Sequence, residues 1–176
     1  MEVLQKLTLK TGKPLIVKSP SHTGRIKLLL EMFPEARFVH IHRDPVTVFQ
    51  SLVHTHDTGL PFARLQRTED VDWKSRIIRQ YKELYDAYFA EREVIPAGRL
   101  HELSFANLER DPVEEVRKLY AALALPEFGH VEPALRTYLD SLASYRKNTF
   151  PELAPDLRRR VASEWSRCFE EWGYSV

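Results

Sequence analysis

The chain has 176 residues, 43% of them hydrophobic and 29% charged, the profile of one soluble globular domain, and this excludes disordered and fibrous classes. Lys plus Arg number 26 against 25 Asp plus Glu, so no overall basic field draws the protein onto nucleic acid or an anionic membrane; any anion must be bound by a local site. A single cysteine, Cys168, rules out an internal disulfide framework and points to a reducing compartment.

The opening MEVLQKLTLKTGK lacks the apolar stretch of a signal peptide, and no segment approaches the ~20 apolar residues that span a bilayer. The expected location is the cytoplasm, without a membrane span. Residues Pro14 to Lys18 (PLIVK) form a short apolar run closed by SPSHTG, the pattern of a buried parallel strand ending in a polar loop. Ile26, Leu29, Leu30 and Phe33 recur at helical spacing and predict a helix that stops before Pro34. A second strand is expected over Arg37 to Ile41. In HRDPVTVFQS, Asp44 suits the cap and Pro45 the first position of a further helix. Strand, helix, strand, helix with tight connections predicts an α/β fold with a parallel sheet flanked by helices.

Beyond Thr55 the stretch HDTGLPFARLQRTED has loop composition and the length of a functional loop or lid. Ile77, Tyr81, Leu84, Tyr85 and Tyr88 mark a long amphipathic helix from about Asp72 to Glu93. A third strand is expected near Arg99 to Phe105, and Asp111-Pro112 opens a helix through Leu123. Two more helices are expected, near Val131 to Ser144 and near Pro155 to Trp172. In the last, Leu157, Val161, Trp165, Cys168, Phe169 and Trp172 share a stripe, with Cys168 read as a small apolar residue. There is no internal repeat.

In open parallel sheets, ligands bind beyond the carboxyl ends of the strands, where loops lead into helix amino termini. Two such loops are rich in groups that attract anions: Lys18-Ser19-Pro20-Ser21-His22-Thr23-Gly24-Arg25, and His42-Arg43-Asp44-Pro45 with Ser51 two turns into the helix that follows. On a helical wheel Val46, Phe49, Leu52 and Val53 cluster on one side and Thr47, Ser51 and His54 on the other. A helix amino terminus favours an anion, and Arg43 supplies the planar fork that phosphate prefers. Thr47, Ser51 and His54 equally suit the wet face of an ordinary helix. His40 and His42 share a strand face with His54 and His56 nearby, but paired helical metal ligands stand at i and i+4, and no carboxylate cluster joins these residues; no metal site is expected.

The arginine after a strand and the serine eight positions on, Arg43 to Ser51 in RDPVTVFQS, resemble the 3′-phosphate-binding motif of sulfotransferases that use 3′-phosphoadenosine 5′-phosphosulfate (PAPS). KSPSHTGRIKLLLEMFPEARFVHIHRDP resembles the bacterial branch of that superfamily. The likeness continues through LSFANLERDPVEEVRKLYAALALP to the terminal YRKNTFPEL, RRRVASEW and WGY. The resemblance implies a sulfotransferase topology related to P-loop NTPases, with residues 1–176 forming one sulfotransferase-like domain, in part. It implies transfer of a sulfuryl group from PAPS to a hydroxyl or amine of a small-molecule, glycan or lipid acceptor. Arg43 and Ser51 would hold the 3′-phosphate. His22 would act as general base, a role suited to imidazole, or simply start a helix with bonds to backbone. Lys18 would stabilise charge on the transferred group, and Lys147 would reach a donor phosphate or stand as a solvated cation.

Two departures matter. The family begins with a strand and a phosphosulfate-binding loop, and nothing in Met1 to Lys13 resembles them, so the domain reads as truncated at its amino terminus. Because the missing strand is central, its neighbours are expected to show unpaired edges and exposed apolar faces, covered by a second copy or by a complementing amino-terminal segment. Where the family has Tyr-Glu-Asp-Leu, this chain has Phe105-Ala106-Asn107-Leu108, which weakens any carry-over of polar contacts. The alternative to an enzyme is a catalytically inactive nucleotide-binding or interaction module that kept the 3′-phosphate pocket. A phosphoryl-transfer enzyme of related topology would also need a phosphate loop and magnesium ligands. The acceptor is not legible, although the stretch Asp57 to Asp70 is where its specificity would lie.

Overall fold

The computed structural model describes residues 2–59, 62 and 71–176. The elements in order are α1 (Glu2–Thr11), a 3-10 turn (Pro20–Gly24), α2 (Ile26–Met32), β1 (Phe38–His42), α3 (Pro45–Thr58), α4 (Trp73–Glu91), β2 (Leu100–Ser104), α5 (Phe105–Arg110), α6 (Pro112–Ala122), α7 (Phe128–Ser141), α8 (Pro155–Glu164) and α9 (Ser166–Trp172). Most of the stretch proposed as a specificity loop lies outside the described residues. Among those described, no helix is long and apolar enough to cross a membrane.

Side-chain caps place four of the helix starts. Asp44, Asp72, Ser104 and Asp111 each accept a hydrogen bond from the backbone amide three residues on, which satisfies a donor the helix itself cannot. Proline follows directly at Pro45 and Pro112, where its missing N–H and fixed φ suit the first turn.

β1 and β2 pair in parallel, Phe38 opposite Leu100 through His42 opposite Ser104. With a side-chain period of two, Phe38, His40 and His42 share one face with Leu100, Glu102 and Ser104. On that face Phe38 and Leu100 pack against the main core, and His40 lies among Tyr85 and Tyr88 of α4 and Trp172 of α9. The other face of β1 is open: Val39 is 45% and Ile41 47% exposed. On the same side of β2, Leu103 is buried.

The core centres on Trp165, at the joint between α8 and α9. Its ring stacks on Tyr81 at 3.8 Å, meets Phe49 edge-on at 5.8 Å, and its indole Nε1 donates to the Ile78 carbonyl at 2.9 Å. One residue thereby ties α3 and α4 to the carboxyl-terminal helices. The single helix expected from Pro155 to Trp172 is two, because Trp165 leaves helical dihedrals (φ −110°, ψ 19°) at the joint. Within α4, Ile78 is fully buried while Ile77, read from the periodicity as a core position, only packs at the edge.

The largest departure from the sequence reading is PLIVK. Residues 14–18 take up no regular secondary structure and are unpaired, and Leu15, Ile16 and Val17 are exposed, Ile16 almost completely. A strand exists only as one of a pair, since its amides and carbonyls need a neighbour or water. Among the described residues no strand lies alongside 14–18, nor along the second edge of β1.

Gly24 lies where the 3-10 turn closely approaches α4, so that a side chain there would need Leu84 to shift by a few tenths of an ångström. A Cβ there would stand 3.0 Å from Leu84 Cδ1 and 3.5 Å from the Leu84 carbonyl oxygen. Trp165→Ala should destabilise the fold by about 3–5 kcal/mol, because a large cavity opens among helices that cannot all collapse into it. Denaturant unfolding followed by tyrosine and tryptophan fluorescence measures this directly.

Candidate functional site

The carboxyl end of β1 runs directly into the amino terminus of α3, and Arg43 and Asp44 form the joint. Asp44 Oδ1 accepts from the Thr47 amide and from Thr47 Oγ1, both at 2.7 Å. The Thr47 amide and hydroxyl are therefore already committed. An incoming anion would depend on Arg43, on the field of the helix end and on hydroxyls further along.

Arg43 is well prepared for that task. The register pairs His42 with Ser104, so the next residues of the two strands, Arg43 and Phe105, emerge side by side. The guanidinium carbon stands 4.6 Å from the Phe105 ring centroid. Stacking holds the cation by one flat face and leaves its N–H edges free, the edges that meet an oxyanion. No carboxylate among the described residues pairs with it. Phe105, which as a replacement for a polar residue weakened the sequence reading, becomes the plate that supports the arginine.

Ser51 is half-buried on α3, one turn beyond Thr47 on the same face and roughly 9 Å along the axis from Pro45. Its carbonyl accepts from Thr55 Oγ1, whereas its own hydroxyl has no partner among the described residues. Arg43 and Ser51 thus belong to one β–α unit.

The remaining expected site residues lie on other segments. His22 sits in the 3-10 turn, its amide bonded to the Ser19 carbonyl, and its Nδ1 is buried without a hydrogen-bond partner. Lys18 is exposed on the extended run before it. Lys147 Nζ is 2.6 Å from Glu109 at the end of α5, so its charge is engaged locally. Two clefts, of about 220 Å³ beside His56 and Trp73 and about 370 Å³ between α3 and residues 149–157, are lined by none of these five residues. Among the described residues, no group of three or more His, Cys, Asp or Glu side chains is arranged to hold a metal ion.

Beneath the tip of β1 lies a partly buried polar network. Tyr88 Oη donates to Glu102 Oε1 at 2.7 Å, Arg92 stands 3.7 Å from Glu102, and Arg92 also pairs with Glu171. Burial lowers the pKa of His40 to about 4, with Glu102 opposing and His42 and Arg92 reinforcing the shift. Burial also lowers that of His42, against Glu102. Trp172 and Tyr174 close over His42 from the carboxyl terminus. Sequence reasoning did not assign these two a role; WGY carries no local signal that it returns to a strand 132 positions away.

The "Sulfotransferase family" model matches residues 2–129. Omega-hydroxy-beta-dihydromenaquinone-9 sulfotransferase Stf3 of Mycobacterium bovis is 34% identical over 171 residues, 97% of this chain but 44% of its own length. The protein of the same name from Mycobacterium tuberculosis matches to the same extent, with 34% identity over 97% of this chain. The chain therefore spans less than half the length of these curated relatives. Among solved structures, sulfotransferase STF9 from Mycobacterium avium superposes with a TM-score of 0.72 at 24% identity, covering 91% of this chain and 42% of that one, a likeness of fold.

The state of His40 makes stability depend on pH. Its folded pKa of about 4 lies below the ordinary 6.5, so the unfolded chain takes up the proton first as pH falls. The contribution is complete above about pH 6.5 and is lost progressively towards pH 4, amounting to about 3 kcal/mol over that window. Urea midpoints measured from pH 7.5 to 4.5 should fall, and His40→Phe should flatten the slope across that interval.

Proposed function

The chain belongs to the sulfotransferase family, and from that premise we propose that it carries the 3′-phosphate site and the general base of a PAPS-dependent enzyme acting on a hydroxyl or amine acceptor. The observation that carries the reading is the unpaired Arg43 guanidinium, propped on Phe105 at the strand tip where α3 begins. The residues suit the group they would hold: a cation with free N–H edges, a helix amino terminus and the unpartnered Ser51 hydroxyl together match a monophosphate dianion. Charge-assisted hydrogen bonds of this kind contribute about 1.5–3 kcal/mol each.

Transfer would break the bond between sulfur and the donor's 5′-phosphate oxygen and form one between sulfur and the acceptor oxygen or nitrogen. The leaving group is adenosine 3′,5′-bisphosphate. In that scheme His22 takes the acceptor proton; its unpaired Nδ1 is consistent with a ring held ready for a partner outside these residues. Lys18 offsets negative charge on the transferred group. Lys147 would have to leave Glu109 to reach a phosphate.

The name of the mycobacterial relatives, a hydroxylated dihydromenaquinone sulfotransferase, supports a lipid-like hydroxyl acceptor here. The near-neutral charge and lone cysteine support a cytoplasmic location. The open edge of β1 and the bare run at 14–18 support a strand and phosphosulfate loop contributed from outside residues 1–176, by a longer polypeptide or a complementing segment. The second reading, a nucleotide-binding module without activity of its own, is favoured by one feature: Glu2–Thr11 is a helix rather than a strand leading into a phosphate loop.

Adenosine 3′,5′-bisphosphate should raise the melting temperature of the chain by ligand linkage, and adenosine 5′-monophosphate should do so far less. Arg43→Ala should weaken bisphosphate binding by about thirtyfold, or ~2 kcal/mol, in a calorimetric titration; unchanged affinity would remove the assigned pocket. With the phosphosulfate loop joined to the chain, His22→Ala should lower kcat while leaving product affinity intact. Full turnover in that variant assigns the base elsewhere, and absence of turnover with native His22 favours the inactive module.

A further inference from the structure

The last helix stops at Trp172, and Gly173 then takes the left-handed conformation (φ 66°, ψ 30°) that an L side chain adopts only with strain. The reversal is closed by the Tyr174 amide donating to the Phe169 carbonyl at 3.0 Å. It brings both flanking aromatic rings back over the tip of β1. The Trp172 indole lies parallel to the His42 imidazole, 4.7 Å between centroids with 6° between planes. The Tyr174 ring meets the same imidazole edge-on at 5.6 Å, and its hydroxyl is 2.8 Å from His42 Nδ1.

His42 is bonded through the peptide to Arg43, so a clamp on its ring also sets the direction in which Arg43 leaves the strand. On the β2 side, Phe105 supports the guanidinium. On the α9 side, Trp172 and Tyr174 hold the residue before it. Tyr174 also lies within the field of the site: after burial, its ionisation is opposed by Asp44 and favoured by Arg43.

We infer that Tyr174, with Trp172 behind it, is a positioning residue for the anion site, fixing His42 so that Arg43 is aimed at the 3′-phosphate. This rests on the nucleotide reading above. A purely structural seal would predict something different. The Tyr174 side chain is only half-buried, and Tyr174→Phe removes one hydroxyl and opens no cavity, so a seal would lose a little stability and no ligand selectivity.

The test is a double-substitution cycle on the full chain, titrated with adenosine 3′,5′-bisphosphate, comparing native protein, Tyr174→Phe, Arg43→Ala and the pair. Tyr174→Phe should weaken binding about fivefold with little change in melting temperature. In the Arg43→Ala background the same change should cost nothing further, because the group it aims is gone. The imidazole nitrogen resonances of His42 should move in Tyr174→Phe, reporting loss of the Nδ1 partner. Undiminished affinity in Tyr174→Phe, or an equal loss with and without Arg43, overturns the inference. Failure of the native chain to bind the bisphosphate is a different result, which overturns the nucleotide reading itself.

Discussion

A five-residue strand with His40 and His42 on one face and Val39 and Ile41 on the other is the constraint on which the molecule depends. The alternation of side chains commits His40 to an interior made of Tyr85, Tyr88 and Trp172 and lays the half-buried His42 against Trp172 and Tyr174. Burying imidazole is tolerable only in the neutral form. The aromatic shell holds them that way, and Glu102 is kept from recharging His40 by its own bonds to Tyr88 and Arg92.

The same alternation explains the asymmetry of the sheet. One face is covered by α4 and α9, while β1 offers Val39 and Ile41 to solvent beside an edge with no strand among the described residues. An α/β sheet buried on both faces is the usual solution. Here one face is covered, and on the other Leu103 is buried while Val39 and Ile41 are not.

The proposed anion site lies where the constrained strand ends. Asp44 caps α3, Phe105 supports Arg43, and the carboxyl-terminal turn grips His42. Two distant stretches of chain, one at Phe105 and one at Trp172 and Tyr174, converge on Arg43 and His42. The clefts lie elsewhere, along α3 and beside α4.

Much of this was legible in the amino-acid order, and the reason is that the signals are local. A cap at Asp44 or Asp111 followed by proline acts through the next three residues, so those helices begin where expected. The strand at Phe38–His42 and the spacing of Arg43 to Ser51 on one β–α unit were readable for the same cause. What only the tertiary structure decided depends on partners distant in sequence. PLIVK has the composition of a strand but no strand beside it among the described residues, so it stays unpaired and bare. Phe105 became a support for Arg43 only through the register of two strands, and Lys147 met Glu109 only through the tertiary fold. Trp172 and Tyr174 reached His42 through a glycine turn and a core that bends at Trp165. Hydrogen bonding within a helix end is set by neighbours in the chain, whereas the meeting of residues 42 and 174 exists only once the core has condensed around them.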